Sequence, residues 1–167
     1  MIQVEVANEQ SNHACDADLL LEAVRAVLRG ESVDQANVSV AIVDDATMHD
    51  LNRKYLQHDY ATDVLSFLLS AVDEPLEGEV IVSADTAAAE AIQYAWSTMD
   101  ELLLYVIHGT LHLVGYDDAT ELERANMRSK EREYLAALGR QPDDETRDAA
   151  SRVVSKNEHP SEGEALS

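Results

Sequence analysis

His108 and His112 stand four residues apart, and residues at that spacing share one face of an α-helix, so two imidazoles can be offered to a single ion. Gly115 follows as a natural exit, because glycine accepts the left-handed conformation that ends many helices. Past that turn the carboxylate of Asp117 or of Asp118 can return to the same point. Two histidines and an aspartate, with a fourth position left to water, are a ligand set for catalytic zinc. The chemistry to expect is hydrolysis, with the metal lowering the pKa of water toward ~7 and a neighbouring carboxylate such as Asp117 assisting.

Histidine pairs on helices are usually satisfied by ordinary hydrogen bonds, so the flanking residues carry weight. From Leu102 to Ile107 the segment is apolar on every face, as a buried helix is. A buried imidazole without a partner costs about 1–3 kcal/mol, and a shared metal is one such partner. Gly109 and Gly115 each cost about 1 kcal/mol relative to alanine if interior to a helix, which points to a functional reason for them. The offsets of four and ten from His108 to His112 and Asp118 also match the metzincin protease pattern H-E-x-x-H-x-x-G-x-x-H. That pattern needs a glutamate after the first histidine as general base. Gly109 stands there and has no side chain to take a proton, which argues against a peptidase.

The run from His108 to Asp117 resembles the metal motif H-G-x-L-H-L-x-G-Y-D-H of the YbeY endoribonucleases, with Asp118 in the place of the last histidine. Leu51 to Phe67 is similar to the same family's L-N-x-x-[YF]-R-x-x-D-x-P-T-D-V-L-S-F-P, and Gly78 to Ser83 to its G-D-I-x-I-S strand. The resemblance implies a zinc-dependent, single-strand-specific endoribonuclease of ribosomal-RNA maturation, holding one Zn2+ per chain through His108, His112 and Asp118. Aspartate is a competent zinc ligand, but this set is harder and more anionic than three histidines and should be less selective against manganese or magnesium. The arginine that the family carries after [YF] is Leu56 here. Leucine cannot steady the charge on a phosphorane, so Arg53 or Lys54 takes over that role or the chemistry is weakened. Ala61 and Leu68 replace the prolines flanking T-D-V-L-S-F, which should loosen the strand's ends without removing it.

The elements that must position these residues read as α/β (α+β): one domain, a small mixed four-stranded sheet, about five helices, and a central buried metal-binding helix. Ile2, Val4 and Val6 alternate as a strand; Leu20, Val24, Val27 and Leu28 stripe a helix closed by Gly30. A strand follows over Val38 to Val43, and Met48, Leu51 and Tyr55 fall at helical spacing. Strands are expected at Val64 to Leu69 and Val80 to Val82, with a tight Gly78 between. Ala87, Ala88, Ala91, Ile92 and Ala95 predict a closely packed helix. Thr98 with Glu101 forms a capping box for the metal helix, and Thr120 with Glu123 one for a last helix burying Met127, Tyr134 and Leu138 before Gly139.

The domain is expected over residues 1–139, and residues 140–167, acidic and poor in apolar spacing, read as a flexible tail with room for a short helix around Ala149 to Val154. A length of 167 residues and 46% hydrophobic content suit one core. No apolar run is long enough for a membrane span and no secretory signal is recognisable, so the cytoplasm is the expected compartment, in keeping with the single Cys15.

The net charge of −21 is awkward for an RNA enzyme, since phosphates are normally gripped by Lys and Arg. Arg53 and Lys54 lie in one motif, and Arg124, Arg128, Lys130 and Arg132 follow the ligands, where Glu121, Glu123, Glu131 and Glu133 can pair them on a solvated helix face. The leading reading is therefore a ribonuclease acting on ribosomal-RNA precursor, with ribosome-associated proteins as partners and neither membrane nor DNA. An inactive ribosome-assembly factor that keeps the fold is the alternative, motivated by Leu56, Asp118 and the acidity. A metallohydrolase for another substrate has no positive sign.

Overall fold

Val38, Val40 and Ile42 alternate with Asn37, Ser39 and Ala41, and the strand they build turns one wholly apolar face toward the interior. The computed structural model describes residues 1–56, 63–141 and 165–166. Along the chain run β1 (Ile2–Asn8), α1 (Ala17–Gly30), β2 (Ala36–Val43), α2 (Asp45–Leu51), a π-helical turn (Asn52–Leu56), β3 (Val64–Leu68), β4 (Leu76–Ser83), α3 (Ala84–Gln93), α4 (Thr98–Leu113), α5 (Glu121–Ala137) and the two-residue β5 (Ala165–Leu166). The strand order is β1-β2-β4-β3-β5. β1, β2 and β4 are parallel, β3 is antiparallel to β4, and β5 adds an antiparallel pair at the edge of the expected four-stranded mixed sheet.

The alternation of the strands decides what covers each face. Val4, Val38, Val40, Ile42, Val64, Val80 and Val82 join Leu20, Val24 and Val27 of α1 and Leu103, Val106 and Ile107 of α4 in the main core. On the other face Met48 of α2 closes a small cluster over Val43, Leu65, Phe67 and Ile81. Every residue of α4 from Glu101 to Leu113 is buried, the central helix that its unbroken apolar run predicts.

Several local expectations are corrected. The capping box of α4 is Ser97 with Asp100, not Thr98 with Glu101; Glu101 is buried and accepts a bond from Trp96 Nε1 at 2.8 Å instead. The box of Thr120 and Glu123 forms as expected. α1 ends at Gly30 as expected, but Gly30 is not the left-handed residue. Ser32, at φ 64°, takes the left-handed position, and Gly30 is needed because a Cβ there would collide with the Tyr134 ring. Gly78 lies inside β4 rather than between strands, pressed against Leu113. The helix expected through Tyr55 loses its α-form after Leu51, and the strand expected to reach Leu69 ends at Leu68. The alanine-rich helix stops at Gln93: Ala95 is left-handed at φ 59° and Ile92 is exposed, because α4 needs only the Ala84, Ala87 and Ala91 stripe. Arg140, where the tail is expected to begin, donates from Nε to Asp100 Oδ1 at 3.0 Å. Most of the tail, including the short helix expected at 149–154, lies outside the described residues.

Candidate metal centre

The last two turns of α4 carry the histidines, His112 in the final one, because the helix is held there from two directions. Gly109 lets it lie against β3 and β4, where a Cβ would come within 2.6 Å of Val80 Cγ1. At the end, Gly115 takes φ 109° while its N–H bonds the His112 carbonyl at 3.1 Å and the Tyr116 N–H bonds the Leu111 carbonyl at 3.0 Å. This is a Schellman closure, and it turns the chain back so that the next carboxylates face the histidines.

Of the two aspartates left open by the sequence, Asp118 meets the histidines. Its Oδ2 lies 3.6 Å from both His108 Nε2 and His112 Nε2. That is too long for a hydrogen bond. It is close to the ~3.3 Å that separates two ligand atoms on a tetrahedral ion with bonds of about 2.0 Å. Both Nε2 atoms are buried without a hydrogen-bond partner, and the three ligand atoms lie within 4.8 Å of one another. Two buried, unpartnered lone pairs facing one carboxylate fit a divalent cation better than any protein-only arrangement, since each would otherwise be an uncompensated cost. The rings meet edge to face with centroids 4.7 Å apart.

The proton positions support ligation. His108 Nδ1 lies 2.6 Å from Glu131 Oε2, a carboxylate placed to accept an Nδ1 proton and so to turn Nε2 toward an ion. Burial holds the His112 imidazole below its usual pKa; Asp118 acts in the opposite sense and His108 adds to the lowering. A neutral imidazole is the ligating form.

Asp117 spends one oxygen on the Asp118 N–H at 2.9 Å, shaping the loop, and its charge is felt at His112. Arg124 donates to the Ala119 carbonyl at 3.1 Å and bounds the same loop from α5. Arg53 and Lys54 stand on the π-helical turn after α2, which packs on the sheet face opposite α4. Arg53 bonds Asp50 at 2.6 Å, and Lys54 sits 5.1 Å from the centre of the half-exposed Tyr55 ring. The structure thus brings His108, His112 and Asp118 together, with Asp117 beside them, and puts Arg53 and Lys54 on a separate element.

Sequence reasoning missed Glu131. It groups this residue with the solvated acids of the last helix, whereas Glu131 is only 7% exposed. The signal was present: Met127, Glu131 and Tyr134 follow i, i+4, i+7, so the acid falls on the buried stripe of α5.

The family described as Endoribonuclease YbeY matches residues 5–139. The chain belongs to the YbeY family. Among YbeY relatives, Endoribonuclease YbeY of Rhodopirellula baltica is 44% identical over 122 residues, 72% of this chain and 63% of that protein. That of Salinibacter ruber is 38% identical over 143 residues, 81% of this chain and 91% of its own. The YbeY fold is matched in solution by a Thermotoga maritima protein at TM-score 0.57 and 24% identity, covering 93% of this chain and all of the other, a likeness of fold alone. No described helix is long and apolar enough to cross a membrane.

Proposed function

We propose that this protein is a metal-dependent endoribonuclease that cuts single-stranded ribosomal-RNA precursor during ribosome assembly in the cytoplasm. The observation that carries the reading is the pair of buried, unpartnered Nε2 atoms of His108 and His112 facing Asp118, within a chain that belongs to the YbeY family. His108, His112 and Asp118 would hold one zinc ion. Bound there, the ion would supply Lewis acidity and make water a stronger acid near neutral pH.

The chain's own residues have separable tasks in this scheme. Glu131 keeps the His108 proton on Nδ1, so that Nε2 stays a donor to the ion. Asp117, on the ligand loop beside Asp118, would accept a proton from the attacking water. Arg53 or Lys54 would meet phosphates of the RNA backbone from the turn after α2, away from the ligand loop, the family's arginine being Leu56 here. Held there, the ion would also offset the −21 of the chain where the phosphate must approach.

The test is His112→Ala, compared with the parent for zinc content and for cleavage of a single-stranded ribosomal-RNA fragment. Both should vanish together. Cleavage that persists in the metal-free variant would rule the mechanism out, and ribosome association without cleavage by the parent would favour the inactive assembly factor.

A further inference from the structure

Glu31, the residue at the C-terminal end of α1, joins two pieces of chain that bear on the metal ligands. Its Oε1 accepts the Tyr116 hydroxyl at 3.0 Å, and its Oε2 accepts the Tyr134 hydroxyl at 2.6 Å. Lys130 Nζ lies 3.3 Å from the same Oε2. Tyr116 is two residues before Asp118 on the ligand loop, whereas Lys130 and Tyr134 flank Glu131 on α5. One carboxylate therefore fastens both the loop that presents Asp118 and the helix stretch that presents Glu131 to His108. The adjoining Gly30 leaves the space into which the Tyr134 ring fits.

The chemistry of the cluster suits a fixed anchor. Burial opposes the Glu31 charge, but three donors outweigh it and hold the carboxyl below its ordinary pKa. Burial and the bond to Glu31 push the Tyr134 hydroxyl up, so it remains a donor throughout the working pH range. Charge-assisted bonds of this kind are short and directional, and three on one acceptor leave its neighbours little freedom to shift.

We propose that Glu31 is a positioning residue of the metal centre, setting the reach of Asp118 through Tyr116 and the seat of Glu131 through Tyr134 and Lys130. The inference rests on the reading of His108, His112 and Asp118 as metal ligands. Outer carboxylates of metal sites typically change affinity by about 10–100-fold when lost, and a hub two steps from the ion should fall near the lower end.

The experiment measures zinc affinity by competition with a chromophoric chelator, and the visible spectrum of the cobalt(II)-loaded protein, for the parent, Glu31→Gln, Tyr116→Phe, Tyr134→Phe and Glu22→Gln. Neither readout needs RNA. Glu31→Gln should weaken zinc about tenfold and shift the cobalt bands; Tyr116→Phe, which removes a single hydroxyl and should leave the fold intact, should reproduce part of both changes. Glu22→Gln, on the exposed side of the same helix, should change neither. Parent-like affinity and spectra in Glu31→Gln and Tyr116→Phe, whatever happens to their melting temperatures, would overturn the proposal. A parent that binds neither ion would instead bring down the metal-centre reading itself.

Discussion

Ser66 on β3 donates its hydroxyl to the carbonyl oxygen of Gly109 on α4 at 3.0 Å, one residue past the candidate ligand His108, in a fully buried setting. This bond and the missing Cβ of Gly109 hold the metal helix against the sheet. Alanine would favour the helix by about 1 kcal/mol in isolation, but here its Cβ would stand 2.9 Å from Ser66 Oγ and 2.6 Å from Val80 Cγ1. Gly109→Ala should therefore destabilise by about 1–3 kcal/mol, as overpacking does. Thermal melts of the metal-free protein check this, and a higher melting temperature would show that close packing is not what the glycine provides.

Removing the Glu131 charge should loosen the ion without removing a ligand. Glu131→Gln is expected to lower zinc affinity by about 10–100-fold, because the amide no longer enforces the Nδ1 proton on His108. Chelator competition reads this directly, and unchanged affinity would leave Glu131 a merely structural partner.

His112 gives the metal-free protein a pH dependence of known sign. Its folded pKa lies below the unfolded value of about 6.5, so the unfolded chain binds more protons between the two. Stability should hold above about pH 6.5 and fall as pH drops below it toward the folded pKa. Urea titrations in chelator across this range test it; His112→Gln should flatten that part of the curve, and an equal slope in the variant would refute the assignment.

Arg53 and Lys54 are exposed, and the Arg53–Asp50 pair is of the kind that contributes little to stability. Arg53→Ala with Lys54→Ala should lower kcat at least tenfold by order of magnitude while zinc content and melting temperature stay near the parent's. Parent-like kcat would show that neither residue replaces the arginine missing at Leu56.

A chain ending at Gln141 should keep its metal affinity, since the three candidate ligands, Glu131, Glu31 and Arg124 all lie within residues 31–131. We propose residues 1–139 as the functional unit on that ground. A truncated protein that folds but binds zinc poorly would show that the tail contributes to the centre.

Periodicity and spacing were enough for the mixed sheet, the buried α4, the Thr120 box and the candidate ligands His108 and His112, because each depends on residues close together in the chain. Local cues misled where another partner competed. Thr98 and Glu101 have the spacing of a capping box, but Trp96 and the core claim Glu101. Gly30 does end α1, but the glycine is there for the space of the Tyr134 ring rather than for a left-handed turn.

By itself the sequence determined the family motifs, the order of the main elements and the residue types of the candidate metal centre, all of which rest on residue type and short-range spacing. Only the tertiary structure decided that Asp118 rather than Asp117 meets the histidines, that Glu131 is buried against His108, and that Glu31 ties α1 to both. Those facts depend on how a loop closes after Gly115 and on how α5 crosses α1 and α4. Contacts across such distances are set by the packing of the whole core, which no single stretch of chain encodes.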